Sequence, residues 1–181
     1  PWPREIFAKA LLKLQETPPA AVGLDIVFSE PSRISAEDDL AMARALDRIS
    51  YPVIFAVEAK NLIISENNSL AASGFLLPID DFKYSENTFL GHINLVMDKD
   101  GMVRKFPFEI SPYKAFSYEV VKKSGRVIPG GESLEAFPRI VFSAPSGSVQ
   151  RVPFWRILEG DAAKILENKI VLIGATAPDL H

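Results

Sequence analysis

A carboxylate set in an apolar run is the first residue of this sequence with chemistry to explain: Asp25 lies inside AVGLDIVF, residues 21–28. An unpaired buried carboxylate is costly, so Asp25 must be hydrogen-bonded, ion-paired or placed at the carboxyl end of a strand. In open α/β sheets ligands bind just beyond that end. Asp25, Phe28 and the Ser29-Glu30 turn are therefore expected at a binding edge. The plainer alternative is an aspartate that only satisfies nearby loop amides. Arg104 poses the complementary question. In MVRKFPFEI, Met102, Arg104, Phe106, Phe108 and Ile110 share one strand parity, and Lys105 and Glu109 take the other. A guanidinium on an apolar face calls for a carboxylate, and Asp25, Glu30 and Asp98 are the candidates. Either a structural ion pair or a ligand contact would answer that need.

Two further stretches invite a ligand reading. DKDG places Asp98, Asp100 and Glu109 at positions one, three and twelve of a calcium loop, but Met102 and Val103 then occupy positions five and six. An oxygen ligand and a glycine are needed there, so the stretch is expected to be a hairpin turn. IVLIGAT ends in Gly174-Ala175-Thr176, whose amides could cradle an anion if a helix followed. It lacks the lysine of a phosphate-binding loop, and a tight turn is the plain alternative. Catalytic raw material is scarce. The chain has two histidines, His92 and His181, no cysteine, and neither a G-x-S-x-G nor a G-x-G-x-x-G stretch. No catalytic residue, metal ligand or cofactor is expected. Glu37 and Asp38 are assigned to a helix start, where they complement the dipole.

The elements that must position these residues follow from periodicity. Pro3 opens a helix whose stripe is Ile6, Phe7, Ala10, Leu11 and Leu14, and Thr17-Pro18-Pro19 stops it. Residues 20–28 read as a strand. Ser35 and Asp38 form a capping-box-like start to a second helix, with Leu40, Ala43, Leu46 and Ile49 inward. YPVIFAV, residues 51–57, is a second strand. Strand, helix, strand over so short a span implies a parallel crossover, with both sheet faces covered. Residues 58–73 read as a loop or a short excursion; FLGHINLV, DKDG and MVRKFPFEI as a β-hairpin near residues 89–110; KAFSYEVVKK as a helix ended by Gly125. RIVFSAP is expected as a strand, PFWRILEG as a short helix and NKIVLIGAT as a last buried strand. The fold class is α/β: three layers, a mostly parallel or mixed central sheet and helices on both faces.

At 181 residues and net charge −3 the chain suits one globular domain, and it has no basic field for nucleic acid. Without cysteine there is no disulfide scaffold or zinc-thiolate site. No apolar stretch reaches the roughly 18 residues of a membrane span. The opening PWPREIFAKALLKLQ lacks an initiator methionine and reads as a cut inside a longer protein.

PWPR, GLDIVFSEPS, GHINLVMDKDGMVRKFPF and NKIVLIGATAPDLH together resemble, in order and spacing, the type-two CHASE domain, a cyclase- and histidine-kinase-associated sensory extracellular domain. The most specific parts are G-x-x-N-x-x-x-D-x-D-G-x-x-R, at Gly91, Asn94, Asp98, Asp100, Gly101 and Arg104, and the ending KIVLIGATA. The resemblance implies one more strand, bearing an acidic residue, upstream of residue 1, and flanking membrane helices absent here. It implies an extracytoplasmic location and a cytoplasmic nucleotide cyclase, histidine kinase, diguanylate cyclase or serine/threonine kinase. The partner would be a small-molecule or protein signal, and a homodimer is among the expected assemblies. The expected ligand contacts are Asp25, Phe28, Ser29, Glu30, Asn94, Arg104, Gly174 and Thr176. A pocket centred on Arg104 would favour an anion; one lined by Phe28, Phe106 and Trp155 would favour an apolar molecule. The competing function is a protein-interaction or dimerisation module without a small-molecule ligand.

Overall fold

The computed structural model describes residues 2–64, 70–130, 135–145 and 147–175. Its elements run α1 (Arg4–Leu14), β1 (Ala21–Asp25), α2 (Ala36–Leu46), β2 (Val53–Ile64), β3 (Leu70–Leu76), α3 (Asp80–Lys83), β4 (Thr88–His92), β5 (Glu109–Ile110), β6 (Tyr113–Lys114), α4 (Phe116–Lys123), α5 (Phe154–Glu159), α6 (Ala163–Leu166) and β7 (Ile170–Gly174). Strand β1 lies between β7 and β2, both parallel to it, with Asp25 opposite Gly174 and Val22 opposite Val53. β4 adds in parallel to the first half of β2, from Val53 opposite Thr88 to Val57 opposite His92. β1 and the first half of β2 are apolar runs buried on both faces, whereas β7 alternates and leaves Leu172 exposed.

Residues 58–64 and 70–73 are not the expected loop or short excursion, and residues 65–69 lie outside the described residues. β2 continues to Ile64 and pairs antiparallel with β3, from Glu58 opposite Leu76 to Ile64 opposite Leu70. The sheet is therefore mixed. The signal was concealed because only one face of this arm is covered and Asn61, at φ 50°, interrupts the alternation. Ala59 and Leu70 still turn inward, onto Ile110.

One face of the sheet carries α1, α2 and α5. Phe7, Leu11 and Leu14 of α1, Met42 and Leu46 of α2 and Ile157 of α5 meet Val22, Leu24, Val53 and Phe55 in the main core. The buried Tyr51 hydroxyl donates to the Leu11 carbonyl at 2.7 Å, fixing α1 to the start of β2. The opposite face carries α4, whose Val120 packs with Ala21 and Ile54. α4 sits so close that a Cβ on Gly91 would lie 2.5 Å from the Phe116 Cα, which only glycine avoids. Three layers with helices on both faces result, as expected.

The segment between β4 and β5 departs from a full hairpin. β4 is drawn into the parallel sheet, leaving one antiparallel bridge, Val96 with Lys105, around the turn. Gly101, at φ 78°, closes that turn with its N–H on the Asp98 carbonyl at 2.9 Å. RIVFSAP is not a strand either: it makes the bridge Lys105–Arg139 and one bond from the Ile140 N–H to the Arg104 carbonyl. Val141 and Phe142, 82% and 75% exposed, have no face to pack upon, so their β-propensity has no effect.

Candidate functional site

The carboxyl end of β1 and the start of α1 build one cleft. Beyond Asp25 the chain loops to α2, and the Phe28 ring turns back into the core, edge-on to Phe7 at 5.4 Å and Phe55 at 5.9 Å. α1 begins after Pro3 without a side-chain cap of its own. Its first amides, on Arg4 and Glu5, instead donate to the two oxygens of Asp38 at 2.9 and 2.8 Å, a cap supplied by another helix. Ser35 caps α2 as expected, accepting from the Asp38 N–H at 3.3 Å. The Asp38 carboxylate does not complete a capping box; it reaches across to α1 and to the Ser32 hydroxyl at 2.6 Å. Asp39, also buried, accepts from the Ser32 N–H at 2.7 Å and pairs with the Arg4 guanidinium at 3.0 Å. Arg4 further donates to the Glu30 carbonyl at 2.6 Å and lies 5.1 Å over the Phe28 ring.

Burial acts to raise the Asp38 pKa, but the bonds from Ser32, Glu5 and Arg4 and the Arg4 charge outweigh it and hold the carboxyl below its ordinary value. Above this knot opens a cleft of about 260 Å³. Trp2, Val27 and Ile34 give it apolar walls, Ser29 and Ser32 give it hydroxyls, and an exposed Glu30–Arg33 ion pair at 3.2 Å lies on its rim. This chemistry suits a small molecule with an apolar body and a charged end.

The expected contact residues are dispersed. Ser29 and Glu30 line the cleft and Phe28 lies beneath it. Asp25 is exposed at the end of β1 beside Gly174, and Thr176 falls outside the described residues. Asn94 is engaged at both ends of its amide with Ala59, at 2.8 and 2.9 Å, which extends the β4 ladder. Arg104 is not on an apolar face: it is 52% exposed at the turn and grips Asp98 at 2.8 Å and Asp100 through both nitrogens at 2.9 and 2.8 Å. The parity that turns Phe108 and Ile110 inward fails at Met102 and Arg104 because the β-ladder there is a single bridge. Phe28 and Phe106 belong to separate clusters, so no common apolar pocket joins them. Sequence reasoning missed Trp2, Arg4, Ser32 and the true roles of Asp38 and Asp39. Glu37-Asp38-Asp39 was their one signal, three carboxylates where a helix dipole calls for fewer.

A family model, the CHASE2 domain, matches residues 1–181. The chain belongs to the CHASE2 family. CHASE2 domains are extracellular sensory domains of signalling receptors, which implies an extracytoplasmic location. No curated protein and no solved structure matches. No helix among the described residues is long and apolar enough to cross a membrane.

In this CHASE2 domain the family-like motif from Gly91 to Arg104 has a structural task at each residue. Gly91 admits Phe116, Asn94 extends a strand, and Asp98, Asp100, Gly101 and Arg104 tie one turn. Among the described residues Arg104 and Asp25 share no bond or bonding partner. Asp25→Asn and Arg104→Met are therefore expected to shift the urea midpoint additively when combined. Marked non-additivity in the four-variant cycle would show a coupling absent from this arrangement.

Proposed function

We propose that this CHASE2 domain is the ligand-sensing input of a bacterial transmembrane receptor, receiving a small-molecule signal in the cleft at the start of α1. Flanking membrane helices pass the signal to a cytoplasmic nucleotide cyclase, histidine kinase, diguanylate cyclase or serine/threonine kinase. The observation that carries this reading is the double grip of Asp38 and Asp39. It fastens the cleft-lining loop, through Ser32, and the first turn of α1 to the same turn of α2. A ligand that moves the loop therefore acts on the start of α1, and two arrangements of this knot would serve as the two signalling states.

Ile34 is exposed on the cleft wall, so Ile34→Glu in the intact receptor should change cellular output and leave the domain's thermal midpoint nearly unmoved. A reporter active only outside the cytoplasm, inserted after Gly130, should be active. An inactive reporter, or unchanged output from Ile34→Glu, counts against the reading. A second reading, a protein-interaction or homodimerisation module, is favoured by the exposed Leu95, Met97, Met102, Val141 and Phe142, on segments joined by the bridges Val96–Lys105 and Lys105–Arg139. That reading predicts that Met97→Glu changes output and self-association while Ile34→Glu is silent.

A further inference from the structure

On the opposite face of the sheet, a cavity of about 290 Å³ opens between the edge strand β4 and the C-terminal half of α4. Phe89 and Pro112 give it an apolar floor, and Lys114, Lys122, Lys123 and Glu119 surround it. Lys114 and Lys123 stand against one glutamate in this lining, in a chain of net charge −3. Lys122 and Lys123 also lie in the last turn of α4, where cations complement the dipole. Lys114 has no such reason to be there; it comes from β6 and lines the same cavity.

Lys114 and Lys123 are half-buried, and neither has a carboxylate partner among the described residues. Aromatic faces hold them instead: Lys114 lies 5.5 Å over Phe108 and 5.2 Å over Tyr118, and Lys123 lies 3.6 Å over Phe89. Two half-buried lysines without a described carboxylate partner line one cavity, and an oxyanion held there supplies the counter-charge. Because the rings already fix the lysines, little ordering remains to oppose binding. We infer that this cavity binds a small oxyanion, a carboxylate or phosphate group carried on an apolar body that rests against Phe89 and Pro112. The site is separate from the α1 cleft and does not depend on its reading.

Phenyl phosphate is the probe. At low ionic strength it should raise the thermal midpoint of the domain saturably, and sodium chloride of matched ionic strength should not. Amide NMR shifts should centre on residues 112–123. Lys114→Gln with Lys123→Gln should abolish the effect, and Glu119→Gln, by removing the one opposing charge, should tighten binding about threefold. An equal response to chloride, shifts centred on residues 27–34, or unchanged binding in either the lysine or the Glu119 variant would overturn the inference. Vesicles separate two sources of the same chemistry. Sedimentation with phosphatidylglycerol but not phosphatidylcholine vesicles, reversed by phenyl phosphate, identifies a lipid headgroup. Binding of phenyl phosphate without sedimentation identifies a soluble ligand.

Discussion

Asp38→Ala should cost the domain about 3 kcal/mol, the sum of a lost helix cap and a broken buried polar network. The carboxylate accepts the first two amides of α1 and the Ser32 hydroxyl, so its removal leaves three donors without their partner. The acceptor is buried while its three donors are only part-buried, so water replaces the lost bonds in part. In urea the midpoint should fall with the m-value unchanged, and the thermal midpoint should drop by about 6–12 °C for a chain of this size. Asp38→Asn retains one acceptor and should lose roughly half as much. A loss below about 1 kcal/mol for Asp38→Ala would mean that α1 caps itself, contrary to the geometry around Pro3. The folded-state pKa of Asp38 is depressed, so its contribution is present above the ordinary carboxylate range and is lost as pH falls through the folded value.

The second large effect belongs to His92, which the sequence marks only as a histidine in a strand. It closes β4 opposite Val57, is 2% exposed, and has no well-aligned hydrogen bond at either ring nitrogen among the described residues. Burial pushes its pKa from 6.5 down to about 4, against a weak opposing pull from the Phe108 carbonyl. The folded domain thus holds the imidazole neutral where the unfolded chain binds a proton. Between pH 6.5 and about 4 the unfolded state carries more protons, so stability rises with pH across that window and levels off above it. The expected loss is about 2 kcal/mol on going from pH 7.5 to pH 5, and on the order of 3 kcal/mol near pH 4. Urea midpoints measured across this range should show that slope, and His92→Leu should flatten it. The substitution leaves the Phe108 carbonyl satisfied, because the Ala115 N–H already donates to it at 2.9 Å. A wild-type midpoint constant from pH 5 to 7.5 would show that the imidazole titrates freely.

These two residues mark the limits of reading the chain alone. His92 could be seen to lie in a strand, but its depth comes from β2 on one side and its bridge to Ala115 on the other, both remote in sequence. Asp38 could be seen to start a helix, and it does. Its partners at Arg4 and Glu5 lie more than thirty residues away, and no spacing rule connects them.

By itself the sequence determined the strands β1, β2 and β7, the principal helices and their inward faces, because those depend on apolar periodicity and on proline and glycine stops; it read β4 as a hairpin arm. It left Asp25 three tolerable places, inside a strand read as far as residue 28, and the structure chose one of them by ending β1 at Asp25. Only the tertiary structure decided which charges meet. Arg104 took its neighbours Asp98 and Asp100 and not Asp25, and Asp38 and Asp39 took Arg4. It also decided that residues 58–64 and 70–76 are strands while RIVFSAP is not. The physical reason is the same throughout. Apolar burial acts on a whole face and leaves a period in the chain, whereas an ion pair or an edge ladder depends on one specific partner, which folding alone brings within reach.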